Sequence, residues 1–183
     1  MDNSSPANDD VDRALVRGFL DGKLAAGDEL VNRYHRSVFN VALRMLGNVQ
    51  DAEDVTQTVF GNAFAALDSY DPGYRFFSWI YRMTVNESLN TINRRRDVVS
   101  LDGSFDVAAP DVLSDSAAEA EVRVGRALME LKPDDRAVVV LKHFVSFSYE
   151  EISDVLDVPV KTVKSRLFTA RDRLRQSLTV VRV

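Results

Sequence analysis

The stretch Ser148–Leu178 reads SYEEISDVLDVPVKTVKSRLFTARDRLRQSL. Ser148 can cap a short helix, and Glu151, three residues on, completes a capping box. Asp157, Val158 and Pro159 break that helix, and a second one starts near Val160. Two helices joined by a turn of about three or four residues form a helix-turn-helix, whose second helix can enter a DNA major groove. In that second helix Val160, Val163, Leu167, Ala170, Leu174 and Leu178 recur at steps of three and four, so they share one stripe to be buried. Lys161, Lys164, Ser165, Phe168 and Arg175 point away from it. Lys161 to Val183 holds seven Lys or Arg and one acid, a local charge of +6 in a chain whose net charge is −5. A basic helix in an acidic protein places a nucleic-acid surface in one spot. The plainer reading is a solvated amphipathic helix.

Working outward, the rest of the chain also reads as helix. Its 183 residues are 45% hydrophobic and 28% charged, which suits a soluble globular protein. The 8 Gly and 5 Pro fall between apolar-periodic stretches. The expected helices are 11–21, 27–46, 49–67 and 74–96, then 116–131, 133–145, 148–156 and 160–178. Between the two groups, Asp97 to Glu121 carries seven acids and no Lys or Arg. The expected fold class is therefore all-α. Two small helical domains, 11–96 and 116–183, are joined by a flexible acidic linker at 97–115, after a disordered N-terminal tail at 1–10.

Several chemistries are excluded. With no cysteine there is no thiol catalysis, disulfide or Cys-based zinc site. The two histidines, His35 and His143, stand far apart in sequence, and no Gly-rich phosphate loop is present. Glu150 and Glu151 are adjacent and do not face each other on a helix. No enzyme, metal site or cofactor is expected. The acidic, polar N-terminus is not a signal peptide, and no apolar run approaches the roughly 20 residues of a membrane span. A cytoplasmic protein without membrane insertion is expected.

A second constellation lies in the first domain. On a helix over 74–96, Arg75, Trp79, Arg82, Asn86, Asn90 and Asn93 share a face, and Arg94, Arg95 and Arg96 extend its charge. Arg binds phosphates, Trp can stack on an unpaired base, and Asn can pair with base edges. The stripe alone serves equally well as a core tryptophan beside surface asparagines. Near the start of the third helix, Asp51, Asp54 and Gln57 can share an outward face suited to a basic partner. Acids there also favour the helix dipole, and spacing does not choose between the two.

Three runs in order, LGNVQDAEDVTQTVF, DPGYRFFSWIYRMTVNESLNTINRRR and LKPDDRAVVVLKHFVSFSYEEISDVLDVPVKTVKSRLFTARDRLR, closely resemble the bacterial extracytoplasmic-function sigma factors of the sigma-70 family. The resemblance spans nearly all of Val11 to Leu178. It implies two helical domains, σ2 and σ4, that bind core RNA polymerase at the β′ clamp and β flap and direct it to promoter DNA. It makes Asp51, Glu53, Asp54 and Gln57 the polymerase contacts. It makes 68–76 the loop that captures a flipped −10 base, and Tyr74, Arg75, Trp79, Arg82, Asn86 and Asn90 the residues of −10 binding and melting. Lys161, Thr162, Lys164, Ser165, Arg166 and Arg171 would read the −35 element. Lys161 stands where the family often has glycine. An anti-sigma factor is a further partner common in the family, though no residue here identifies one. The alternatives to a sigma factor are a stand-alone helix-turn-helix regulator and a protein-interaction adaptor.

Overall fold

A computed structural model describes residues 6–102 and 116–180, and it is helical throughout its regular elements. Among the described residues the order is α1 (Pro6–Leu20), α2 (Leu24–Leu46), α3 (Val49–Ala65), a single 3-10 turn (Leu67–Ser69), α4 (Phe76–Asp102), α5 (Ser116–Met129), α6 (Pro133–His143), α7 (Tyr149–Leu156) and α8 (Val160–Val180). Helices α1–α4 pack as one domain and α5–α8 as the other.

Local chemistry sets most of the helix ends. Helix α2 stops at Gly47, whose φ of 69° is left-handed and whose N–H reaches Leu43 O. The left-handed backbone favours glycine at this position, and a Cβ there would also stand 2.7 Å from Met129 Sδ of α5, so the Met129 side chain would have to shift. The Asn48 side chain caps α3 by accepting from the Asp51 N–H at 3.0 Å. Pro133 opens α6, where a missing N–H costs nothing.

Two boundaries differ most from the sequence reading. Residues 6–10, expected in a disordered tail, form the first turns of α1. Pro6 suits a helix start, and Asp9 and Asp12 tie that end of α1 to neighbouring elements, contacts that local composition does not reveal. Helix α4 runs on to Asp102, six residues past the expected helix end at 96, because no Gly or Pro interrupts the chain before Gly103. The rest of the expected linker, 103–115, lies outside the described residues, as do 1–5 of the tail.

Asp12 is the main polar anchor between α1 and α2. It is 1% exposed, accepts from Arg33 Nε at 3.0 Å and also accepts the Tyr34 hydroxyl. Burial raises its pKa against the opposing pull of Tyr34 and Arg33. Asp12→Ala strands the buried Tyr34 hydroxyl and removes one partner of the half-buried Arg33 guanidinium. A loss of about 3 kcal/mol in urea-denaturation stability is expected.

The apolar interior is continuous across the two domains. Tyr34, Val38 and Met45 of α2, Val55 and Val59 of α3, and Phe77, Ile80 and Tyr81 of α4 form one cluster with Val138 and Leu141 of α6, Phe147, Ile152 of α7, and Val163 and Leu167 of α8. Phe147, in the loop between α6 and α7, is 2% exposed. Its ring lies 5.1 Å from Phe77 and 5.3 Å edge-on from Tyr81. In α8 the expected stripe is buried at Val163, Leu167 and Ala170, but Leu178 is exposed. The helix has there run past the end of the core.

Candidate nucleic-acid interface

The first surface is built on α4 and the loop before it. Asp71 Oδ1 accepts from the Gly73 N–H at 2.8 Å, a side-chain turn that folds the loop back on itself. The Tyr70 hydroxyl donates to Tyr74 O at 2.5 Å from beneath, and burial pushes its pKa up to about 12. This bracing leaves Tyr74 at the tip, 68% exposed, as a free aromatic face. Arg82, Asn86 and Asn90 are exposed along α4. Asn90 and Asn93 line a shallow open groove with Glu87 and Arg94, and Arg94 Nη2 reaches Glu87 Oε1 at 2.8 Å.

Trp79 is half-buried, with ring centroids 5.2 Å from Tyr70 and 5.7 Å from Phe76. Of the two readings open at the sequence level, packing is therefore part of its role. Only the uncovered portion of the indole can meet a ligand.

The second surface is the helix-turn-helix. The capping box forms as read: Ser148 Oγ accepts from the Glu151 N–H at 3.1 Å, and Glu151 Oε2 accepts from the Ser148 N–H at 2.8 Å. Helix α7 ends at Asp157 in a left-handed conformation, φ 52°. Thr162 and Val163 then bond Pro159 O at 2.8 and 3.2 Å and start α8. Lys161, Lys164, Ser165, Phe168 and Arg171 are exposed on α8, Phe168 at 78%. Thr162 and Arg166 are half-buried. Arg166 turns back toward Asp134 of α6, 3.8 Å away. Arg171 Nη2 lies 3.4 Å from His143 Nε2. The His143 pKa is lowered by burial, then by Arg171 and Lys142, which disfavours a charged ring beside Arg171.

A third patch lies on α3. Glu53, Asp54 and Gln57 are exposed together, whereas Asp51 is half-buried and paired with Arg95 of α4. The sequence placed Asp51 with the outward group. The structure gives it a partner inside the domain.

Contacts that sequence reasoning missed join the two surfaces. Arg75 Nη1 binds Glu151 Oε1 at 2.8 Å, and its Nε binds Asp9 Oδ2 at 2.7 Å. Arg82 donates to Asp154 O of α7. Arg44 of α2 pairs with Glu121 of α5 at 3.3 Å and covers the Phe144 ring at 4.2 Å. Arg136 of α6 donates to Met45 O, and to Met129 O and Leu131 O at 3.0 and 3.1 Å. Burial pulls the Arg136 pKa down to about 10, which leaves it charged at neutral pH. In the sequence the one signal for this group is an arginine directly before the apolar run Ala137–Leu141.

Among the described residues no cluster of three or more His, Cys, Asp or Glu could hold a metal, and no helix is long and apolar enough to cross a membrane.

The chain as a whole is similar to known proteins. The sigma-70 region 2 family matches residues 30–98, and the sigma-70 region 4 family matches residues 121–174. The chain is 32% identical over 180 residues to the RNA polymerase sigma-H factor of Pseudomonas aeruginosa, covering 91% of this chain and 93% of that protein. It is 31% identical over 163 residues to the ECF RNA polymerase sigma factor SigW of Bacillus subtilis, covering 82% and 87%. The structure of the sigma factor RpoE in complex with the anti-sigma factor NepR, from Bartonella quintana, aligns with a TM-score of 0.74 at 26% identity, over 85% of this chain and 98% of that one. The chain belongs to the sigma-70 family, among its extracytoplasmic-function sigma factors. The region 2 match falls within α2–α4 and the region 4 match within α5–α8, and the two helical domains are called by those names below.

Proposed function

We propose that this sigma factor binds core RNA polymerase through the α3 patch and carries two promoter-reading surfaces to one DNA face, with no bond chemistry of its own. The observation that supports this most is the presence, in one chain, of an Arg/Asn stripe with an exposed aromatic loop tip and a basic helix-turn-helix. Region 4 would read duplex DNA in the major groove through Lys161, Thr162, Lys164, Ser165, Arg166 and Arg171, with Phe168 offering an apolar contact. Region 2 would hold an unpaired base against Tyr74 and the open part of Trp79, with Arg75, Arg82, Asn86 and Asn90 on phosphates and base edges. Extruding a base costs a few kcal/mol, which stacking and hydrogen bonds would offset, so strand opening follows by mass action. Polymerase supplies the geometry: two weak sites held on one scaffold act at high effective concentration. An anti-sigma factor is a candidate partner, supported by the complex in which the similar RpoE is held.

Run-off transcription with core polymerase on promoter libraries tests the whole reading. Promoter-dependent transcripts that need this chain are expected. Tight operator binding by a dimer without polymerase, together with no stimulation of core enzyme, would instead identify a stand-alone regulator.

The docking patch has its own test. Asp54→Ala combined with Gln57→Ala should weaken core binding at least about tenfold, the worth of one charge-assisted hydrogen bond. Both side chains are exposed, so melting should shift by no more than the equivalent of about 0.5 kcal/mol per residue. Asp51 is left out of this pair because its ion pair with Arg95 would mix folding into the result. Unchanged affinity for core polymerase would remove α3 from the interface.

A further inference from the structure

Glu87 is the only acid between Tyr74 and Arg96, a stretch that carries five arginines. It stands on α4 among residues assigned above to DNA, where a carboxylate repels phosphates. The residue is half-buried, and both of its oxygens are engaged. Oε1 accepts from Arg94 Nη2 at 2.8 Å, and Oε2 accepts from Asn90 Nδ2 at 3.5 Å. Arg94 Nη2 also reaches Thr91 Oγ1 at 3.1 Å. Both Arg94 bonds use one nitrogen, so the other edge of the guanidinium is not spent on them, and the side chain is 70% exposed. Glu87 and Arg94 border a groove whose lining residues all stand on α4. An exposed ion pair contributes little to folding, so stability does not account for an acid in this place.

We infer that the Glu87–Arg94 pair reads one C·G base pair of duplex DNA at the edge of the opened segment. This rests on the reading of α4 as a DNA-contacting helix. The pair presents an acceptor beside two donors, a Glu87 oxygen and then the Arg94 fork. In the major groove a C·G pair presents the converse, the cytosine N4 donor beside the guanine O6 and N7 acceptors. Glu87 accepts from cytosine N4, and Arg94 donates to guanine O6 and N7. An A·T pair sets its single donor between two acceptors, so the fork meets one acceptor and the carboxylate is left beside the other. The ion pair also sets what Arg94 does. Anchored by Glu87, its fork is aimed at a base edge and held back from the phosphates that a lone arginine would take. Arg94 lies about 22 Å along α4 from Trp79, at 1.5 Å per residue, which puts the pair past the side chains that hold the unpaired base.

A promoter library randomised across and around the −10 element tests this, transcribed by core polymerase with the full chain and read by sequencing the transcribed templates. The parent should prefer C·G at one position beside the opened segment. Glu87→Ala and Arg94→Ala should each lower that preference at least about fivefold, the lower end for one bidentate contact. The double variant should lose no more than either single one, since both side chains read one base pair. Glu87→Gln keeps the size of the side chain, and glutamine pairs with adenine N6 and N7, so the preference should move from C·G toward A·T. On promoters with other base pairs at this position, Glu87→Ala should raise transcription, because a carboxylate that repels phosphates is gone.

An equal fall on all promoters in Glu87→Ala overturns the proposal, since Glu87 would then only set the pose of a phosphate-binding Arg94. A parent with no C·G preference beside the opened segment overturns it too, as does a preference unchanged in both alanine variants. Each of these results leaves the sigma-factor reading standing, because the parent still initiates at promoters. A parent that yields no promoter-dependent transcripts overturns that reading, and this proposal with it.

Discussion

Replacing Arg136 with alanine is expected to lower folding stability by about 3–5 kcal/mol, measured by urea denaturation. The guanidinium donates to the carbonyls of Met45, Met129 and Leu131 in the interior. Alanine strands three buried acceptors. Two of those carbonyls belong to the turn between α5 and α6, and the third ends α2 in the other region. The loss should therefore appear in region 4 and also weaken its seat on region 2. Arg136→Lys keeps the charge but not the planar fork, so it should recover only part of the difference. A loss under about 1 kcal/mol would mean that solvent reaches these carbonyls.

The second large effect is expected in transcription and divides by template. Asn86→Ala and Asn90→Ala should reduce initiation on duplex promoters about ten- to a hundredfold, the scale of base-edge contacts worth about 1–3 kcal/mol. A template with a pre-melted bubble should restore much of that activity, because the lost contacts act on the opened strand. Lys164→Ala and Ser165→Ala on α8 should stay impaired on the bubble, since duplex reading is unaffected by opening. Trp79 calls for Trp79→Phe before Trp79→Ala. Its ring packs on Tyr70 and Phe76, and truncation would empty part of the core. Equal rescue of all variants would show that α4 and α8 do not divide the work.

The helix-turn-helix was readable because its signals are local. Ser148 with Glu151, Pro159 after Asp157, and a stripe at steps of three and four are each written within a few residues, and α6–α8 fall within two residues of the expected bounds. Likewise, most of α2 and α3 follows from periodicity closed by Gly47 and Asn48. What stayed hidden depends on contacts between distant residues. Nothing near Asp9 or Asp12 announces that Arg75 or Tyr34 will meet it, so the start of α1 reads as tail. The wheel of α4 places Arg75 and Trp79 on one polar face, but it cannot show that Tyr70 covers the indole or that Glu151 claims the guanidinium. Asp51 is a similar case, since its partner Arg95 lies on a separate helix. Residue types were legible at these positions, and their partners were not.

The uninterrupted apolar cluster that runs from α2 through Phe147 to α8 has a thermodynamic consequence. Each region buries apolar surface of the other, so the two are expected to unfold as one cooperative unit. Parting the regions returns buried aromatic surface to water and divides that unit in two. A partner that parted them would have to cover the surface released, and the free energy of separation would set a threshold on the strength of such a partner.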